Sequence, residues 1–210
     1  AGPDGVQRLA EGLSAGVLPA LYMLDFDYMH VGDAGASALA AALDRGALPR
    51  LEYFTLTHTA IGDSALVALA PALRRRPALA HLDLDNNPLG DKGIAALVAP
   101  PPPPAGALPQ PTGGLKKLKT LYLNCTQVSD AGCATLASTI DSGALPALER
   151  LDLDDIPASD AAMAAVYEAR DTLVKSREEE ESGSELGSES EEHEGAEDGE
   201  EEWEDDGEVN

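Results

Sequence analysis

Leu79-x-x-Leu82-x-Leu84-x-x-Asn87-x-Leu89, followed at once by Gly90-Asp91-Lys92-Gly93, decides the fold. The same template stands at four other registers. They are Leu21-x-x-Leu24-x-Phe26-x-x-Met29-x-Val31, Leu51-x-x-Phe54-x-Leu56-x-x-Thr59-x-Ile61, Leu118-x-x-Leu121-x-Leu123-x-x-Thr126-x-Val128 and Leu148-x-x-Leu151-x-Leu153-x-x-Ile156-x-Ala158. Each unit opens with the two-residue alternation of a strand. Each then changes to a helical period, with Leu39/Leu43, Leu69/Leu73, Ile94/Leu97 and Leu136/Ile140 as the buried stripe. Asp33, Asp63, Asp91, Asp130 and Asp160 stand just before those helical segments. They are expected to cap the free N–H groups of their own helices and to oppose the helix dipole. One unit cannot bury its apolar face alone, but stacked units share a continuous core.

These motifs resemble the leucine-rich repeats of the ribonuclease-inhibitor type over residues 1–175. The resemblance implies an α/β fold: a curved solenoid of about five repeats, with parallel strands on the concave side and helices on the convex side. It also implies an Asn, Cys or Thr in each unit whose side chain caps backbone of the next turn. Asn87, Thr59 and Thr126 suit that role, while Met29 and Ile156 cannot fill it, so the spine is expected to be interrupted in the first and last units. Pro3-Asp4-Gly5-Val6-x-x-Leu9-x-x-x-Leu13 matches a helical half-unit without its strand, so the solenoid is expected to be N-terminally truncated. Met163, Val166, Arg170 and Leu173 mark a long last helix expected to cap the stack. Residues 100–114, with five consecutive prolines from Pro100 to Pro104, read as an insertion between the third and fourth units. Such a run favours polyproline II.

The formal net charge is −24, but it is uneven. Residues 178–210 hold 18 of the 38 acidic residues and no Lys or Arg, so the preceding body is only mildly acidic. Residues 176–210 therefore read as a disordered acidic tail, too poor in apolar side chains to fold. Ser182 and Ser188 lie in contexts that suit acidophilic protein kinases. A chain of this sign is a poor fit for nucleic acid. No stretch approaches the length of a membrane span. Cys125 and Cys133 lack metal-ligand spacing and read as reduced thiols, so a cytoplasmic location is expected, with a nuclear one as alternative.

If the leucines point inward, three columns point outward from the strands. The central one is Asp25, Thr55, Asp83, Tyr122 and Asp152. Beside it run Asp27, Thr57, Asp85, Asn124 and Asp154 on one side, and Met23, Tyr53, His81, Thr120 and Arg150 on the other. Six aspartates thus crowd one face without compensating bases, and a partner rich in Lys and Arg would relieve them. Tyr53, His81 and Tyr122 add the amphipathic contacts that interface cores favour. No nucleophile elbow, phosphate loop or zinc-protease motif is present, and His58 sits two units from Cys125, too far to activate it. The expectation is a monomeric, non-catalytic, cofactor-free and metal-free scaffold that binds a basic protein surface. A repeat array with an acidic C-terminal tail also resembles Ran GTPase-activating proteins, which implies a small GTPase as alternative partner. A third reading gives the binding of basic nuclear proteins to the tail.

Overall fold

The computed structural model describes residues 2–14, 18–98 and 114–185. The chain divides into two compact units, Ala1–Ser176 and Arg177–Asn210. Among the described residues, five three-residue strands alternate with helices: α1 (Pro3–Ser14), β1 (Met23–Asp25), α2 (Gly32–Asp44), β2 (Tyr53–Thr55), α3 (Asp63–Arg74), β3 (His81–Asp83), α4 (Asp91–Val98), β4 (Thr120–Tyr122), α5 (Asp130–Asp141), β5 (Arg150–Asp152) and α6 (Asp160–Glu185). The strands form one parallel sheet in chain order. Leu24, Phe54, Leu82, Leu121 and Leu151 are in register across it, so the repeat unit is also the pairing unit.

The core follows from that register. Phe54, Leu82, Leu121 and Leu151 are buried, as are Phe26, Leu56, Leu84, Leu123 and Leu153 two residues on. The helix stripe read from the sequence is buried throughout, from Leu39 to Ile140. Each such leucine contributes about 2 kcal/mol on leaving water. Consecutive helices α1 to α5 pack on one another in order.

The polar spine runs in the direction opposite to the one expected. Asn87 Oδ1 accepts from the N–H groups of Thr59 and Ile61, and Nδ2 donates to Leu56 O, all in the preceding unit. The same Nδ2 donates to Leu84 O and Asp85 O in its own turn. The Thr126 hydroxyl donates to Leu123 O within its own turn, whereas the Thr59 hydroxyl donates to Leu56 O in its own turn at 2.7 Å and also lies 3.2 Å from Asn87 Oδ1 in the next unit. Met29 and Ile156 pack against the core instead.

The helix-start aspartates also correct the sequence reading, since they reach forward to the next unit. Asp63 Oδ1 accepts from Gly90 N–H at 2.7 Å and Gly93 N–H at 3.0 Å. Asp91 accepts from Ser129 N–H at 2.8 Å and Ser129 Oγ–H at 2.6 Å, and Asp130 accepts from the same two groups of Ser159. Asp33 accepts from Gly62 N–H and the Ser64 hydroxyl. Each aspartate is already the first residue of its own helix or next to it, so its side chain meets the neighbouring helix start sooner than its own amides. Both helix starts still gain from the carboxylate. The glycine two residues after the aspartate makes room for this. A Cβ at Gly132 would lie 2.5 Å from Asp91 Oδ1, and one at Gly93 2.9 Å from Asp63 Oδ1.

At the last strand, the buried Val166 and half-buried Tyr167 of α6 cover the end of the core. Tyr167 Oη accepts from Leu153 N–H at 3.1 Å, serving the backbone group that directly follows the edge strand. Helix α6 runs on to Glu185, beyond the boundary at residue 175 drawn from composition. The reason is local: Glu and Arg are good helix formers and continue an existing helix without a new nucleus. The Pro-rich insertion at 100–114 falls outside the described residues up to residue 113, as does the tail from residue 186.

Candidate functional site

Strand pairing puts the three outward columns together as read. Met23, Tyr53, His81, Thr120 and Arg150 are in register, as are Asp25, Thr55, Asp83, Tyr122 and Asp152. Asp27, Thr57, Asp85, Asn124 and Asp154 follow two residues later. Asp25, Asp27 and Asp154 are exposed, and Tyr53, Thr55, Thr57, His81, Asp83, Asp85, Tyr122, Asn124 and Asp152 are half-buried. Thr120 is buried.

The aspartates are held more than the sequence suggested. Asp25 Oδ1 accepts from Asp27 N–H at 2.8 Å, and Asp83 Oδ1 from Asp85 N–H at 3.0 Å. Asp85 accepts from Asn124 N–H at 2.7 Å and Asn124 Nδ2 at 3.0 Å, and Asn124 Oδ1 accepts from Asp154 N–H at 2.7 Å. Hydrogen bonds therefore link the third, fourth and fifth units along the face. Burial pushes the Asp85 carboxyl above its ordinary range, the two Asn124 bonds oppose this, and the charges of Asp83 and Asp152 add to the rise. A base is present after all. Arg150 Nε lies 3.5 Å from Asp152 Oδ2, and its guanidinium sits 5.6 Å from the Tyr122 ring centroid. Crowding is thus relieved at the fifth unit and persists around Asp83 and Asp85.

The other end of the face is aromatic. Tyr53 stacks on His81 with centroids 4.2 Å apart, and Tyr22 meets Tyr53 edge-on at 6.3 Å. His81 Nδ1 lies 3.0 Å from Thr120 Oγ1, which fixes the ring along the row. A second stack pairs Tyr28 with His58 at 4.7 Å. This pair was not read from the sequence, although its signal was there. Tyr28, His58, Asn86, Cys125 and Asp155 occupy one repeat position, and all five take the left-handed backbone, with φ between 54° and 57°. The region is uncommon for side chains other than Asn, Asp and His, so His58, Asn86 and Asp155 at this one place were the clue. His58 faces Tyr28 in that stack, and Cys125 is exposed in the fourth unit. Thr57 Oγ1 is enclosed without a hydrogen-bond partner among the described residues. Ser182 lies within α6, and Ser188 falls outside the described residues.

Comparison with known proteins points the same way as the geometry. The Leucine Rich repeat family matches residues 79–98 and 114–137. The chain is 36% identical over 95 residues to the ribonuclease inhibitor of Sus scrofa, a match that spans 45% of this chain and 18% of that protein. Among solved structures it is similar to the leiomodin-1 actin-binding site 2 domain, with a TM-score of 0.62 and 14% identity, covering 90% of this chain and 99% of that one. It is also similar to the tropomodulin C-terminal domain of Caenorhabditis elegans, with a TM-score of 0.63 and 19% identity, covering 85% and 98%. At those identities the likeness is one of fold.

Proposed function

We propose, from the premise that this chain is a leucine-rich-repeat protein of the ribonuclease-inhibitor type, that it is a non-catalytic scaffold whose strand face grips a basic protein surface. The observation that carries this reading is the register of the outward columns. It puts Asp83 two residues after His81, whose ring stacks on Tyr53, with Asp85 two residues further on, both carboxylates half-buried. A carboxylate pair with an aromatic ledge suits a cationic side chain, which gains an ion pair and a ring face together. The raised Asp85 carboxyl supports it further, because an incoming cation would relieve the cost of keeping that charge.

The test is capture from cell lysate at low and high salt, comparing the full chain with its D83N/D85N variant. Basic proteins retained by the wild type at low salt and lost by the variant are the expected result. Retention that survives both the substitutions and high salt would defeat the reading.

A further inference from the structure

The charge of the repeat body is segregated between the two edges of the sheet. The edge where strands pass into helices carries Asp27, Asp33, Asp85, Asp91, Asp130 and Asp154. The opposite edge, where helices return to strands, carries Arg50, Arg75, Arg76, Lys116, Lys117 and Lys119, together with Arg45, which donates to the Ser14 hydroxyl, and the fewer acids Asp44, Glu52, Asp141 and Glu149. Helix dipoles explain part of this, since they favour cations at helix C-termini. Arg76 donates to Leu43 O at 3.0 Å and Ala47 O at 2.8 Å, and Arg74 donates to Ala96 O. Two more cations are matched by acids, Arg75 by Asp44 and Lys119 by Glu149 at 3.2 Å. Arg50, Lys116 and Lys117 are left over. They are exposed and make no ion pair or side-chain hydrogen bond among the described residues.

Their spacing is regular. Arg50 and Lys117 each stand three residues before the paired positions Tyr53 and Thr120, two strands apart in one sheet. At the usual spacing that is roughly 10 Å along the edge. Arg75 and Arg76 lie in the unit between them and are already engaged, by Asp44 and by the Leu43 and Ala47 carbonyls. We infer that this basic edge is a second interaction surface, which binds an acidic polypeptide segment of a partner protein. An extended acidic segment meets Arg50 in one unit and Lys116 and Lys117 two units on, and stays clear of the aspartates across the sheet. A long uniform polyanion such as nucleic acid would meet that acidic edge as well and be repelled. The inference stands apart from the strand-face reading, because it uses none of those residues.

The test titrates the full chain into a fluorescein-labelled Glu-rich peptide and reads anisotropy at low salt. Binding is expected, and R50E/K116E/K117E should weaken it by about tenfold or more. The milder R50Q/K116Q/K117Q should weaken it less, and D83N/D85N should leave it unchanged or tighter. Thermal melts of each variant confirm folding. No anisotropy change with the wild type, or equal affinity in the charge-reversed variant, would overturn the inference. So would a labelled single-stranded oligonucleotide that binds more tightly than the peptide and loses that binding on charge reversal. Loss of lysate capture by D83N/D85N with peptide binding intact separates the two readings.

Discussion

Asp85 and Asp91 belong to one repeat and are held in opposite ways. Asp85 lies on the strand face, where burial and the neighbouring Asp83 and Asp152 outweigh its bonds to Asn124 and push its carboxyl up. Asp91 starts α4, where burial also pushes upward, but Ser129 Oγ–H, Ser129 N–H and Gly132 N–H overcome it and hold the carboxyl down. The same residue type is therefore scaffold in one place and unspent charge in the other. A carboxylate met by several fixed donors stabilises the stack, whereas one crowded by like charges is available to a partner.

The sharpest way to break the scaffold side is to fill the space that Asp91 uses. In Gly132→Ala the new Cβ meets Asp91 Oδ1 and Val128 Cγ1 at 2.5 and 2.6 Å, so both contacts must give way. The expected loss is about 2–4 kcal/mol in urea unfolding, from overpacking and broken hydrogen bonds together. Gly12→Ala, with nothing within 4 Å of the added carbon, is the control and should be neutral or slightly stabilising. Next comes Asp91→Ala, which removes the carboxylate and leaves the Ser129 and Gly132 amides without their acceptor. It should cost about 2 kcal/mol and leave capture of basic proteins intact. Asp85→Asn should do the reverse, weakening capture while leaving stability level or higher.

Repeat, strand register, buried stripe and outward columns were all legible in the sequence, because a period of two and a period of one repeat leave little freedom. Direction was not legible. Nothing in Gly-Asp-x-Gly says that Asp63 serves Gly90 and Gly93 rather than its own helix, since that depends on how closely adjacent units approach. Nor could Asn87 be assigned to the preceding turn before the stack was built. Arg150 stood in the correct column, but its turn towards Asp152 is a matter of rotamer. Tyr167 shares the face of Met163, Val166 and Arg170, but nothing in that spacing says that its hydroxyl reaches Leu153 N–H.

Acid titration separates the two aspartates by sign. The folded Asp91 carboxyl lies below its unfolded value of about 3.9. Its stabilisation is present above that value and is lost as pH falls through the folded one. The folded Asp85 carboxyl lies above the unfolded value, so its contribution is full below the unfolded value and is lost as pH rises through the folded one. Urea melts from pH 7 downward should show the deficit of Asp91→Asn shrinking towards acid. Any advantage of Asp85→Asn should appear only as pH rises past the raised Asp85 value. Parallel curves for the two variants would mean that the two sites do not differ as described.

The smallest effect is expected where the ladder runs out. Asp33, Asp63, Asp91 and Asp130 each serve the unit that follows, but Asp160 starts the last helix of the stack. There the closing contact passes to Tyr167, whose hydroxyl accepts from Leu153 N–H just past the edge strand. Tyr167→Phe keeps the ring, its packing and its place beneath the Arg170 guanidinium, and removes only the acceptor. The expected cost is about 1 kcal/mol. It should be concentrated at one place, as faster amide exchange at Leu153 with little change at Leu84, whose N–H donates to Tyr122 O between paired strands. Uniform acceleration across the sheet would mean that Tyr167 holds the whole stack rather than its last edge.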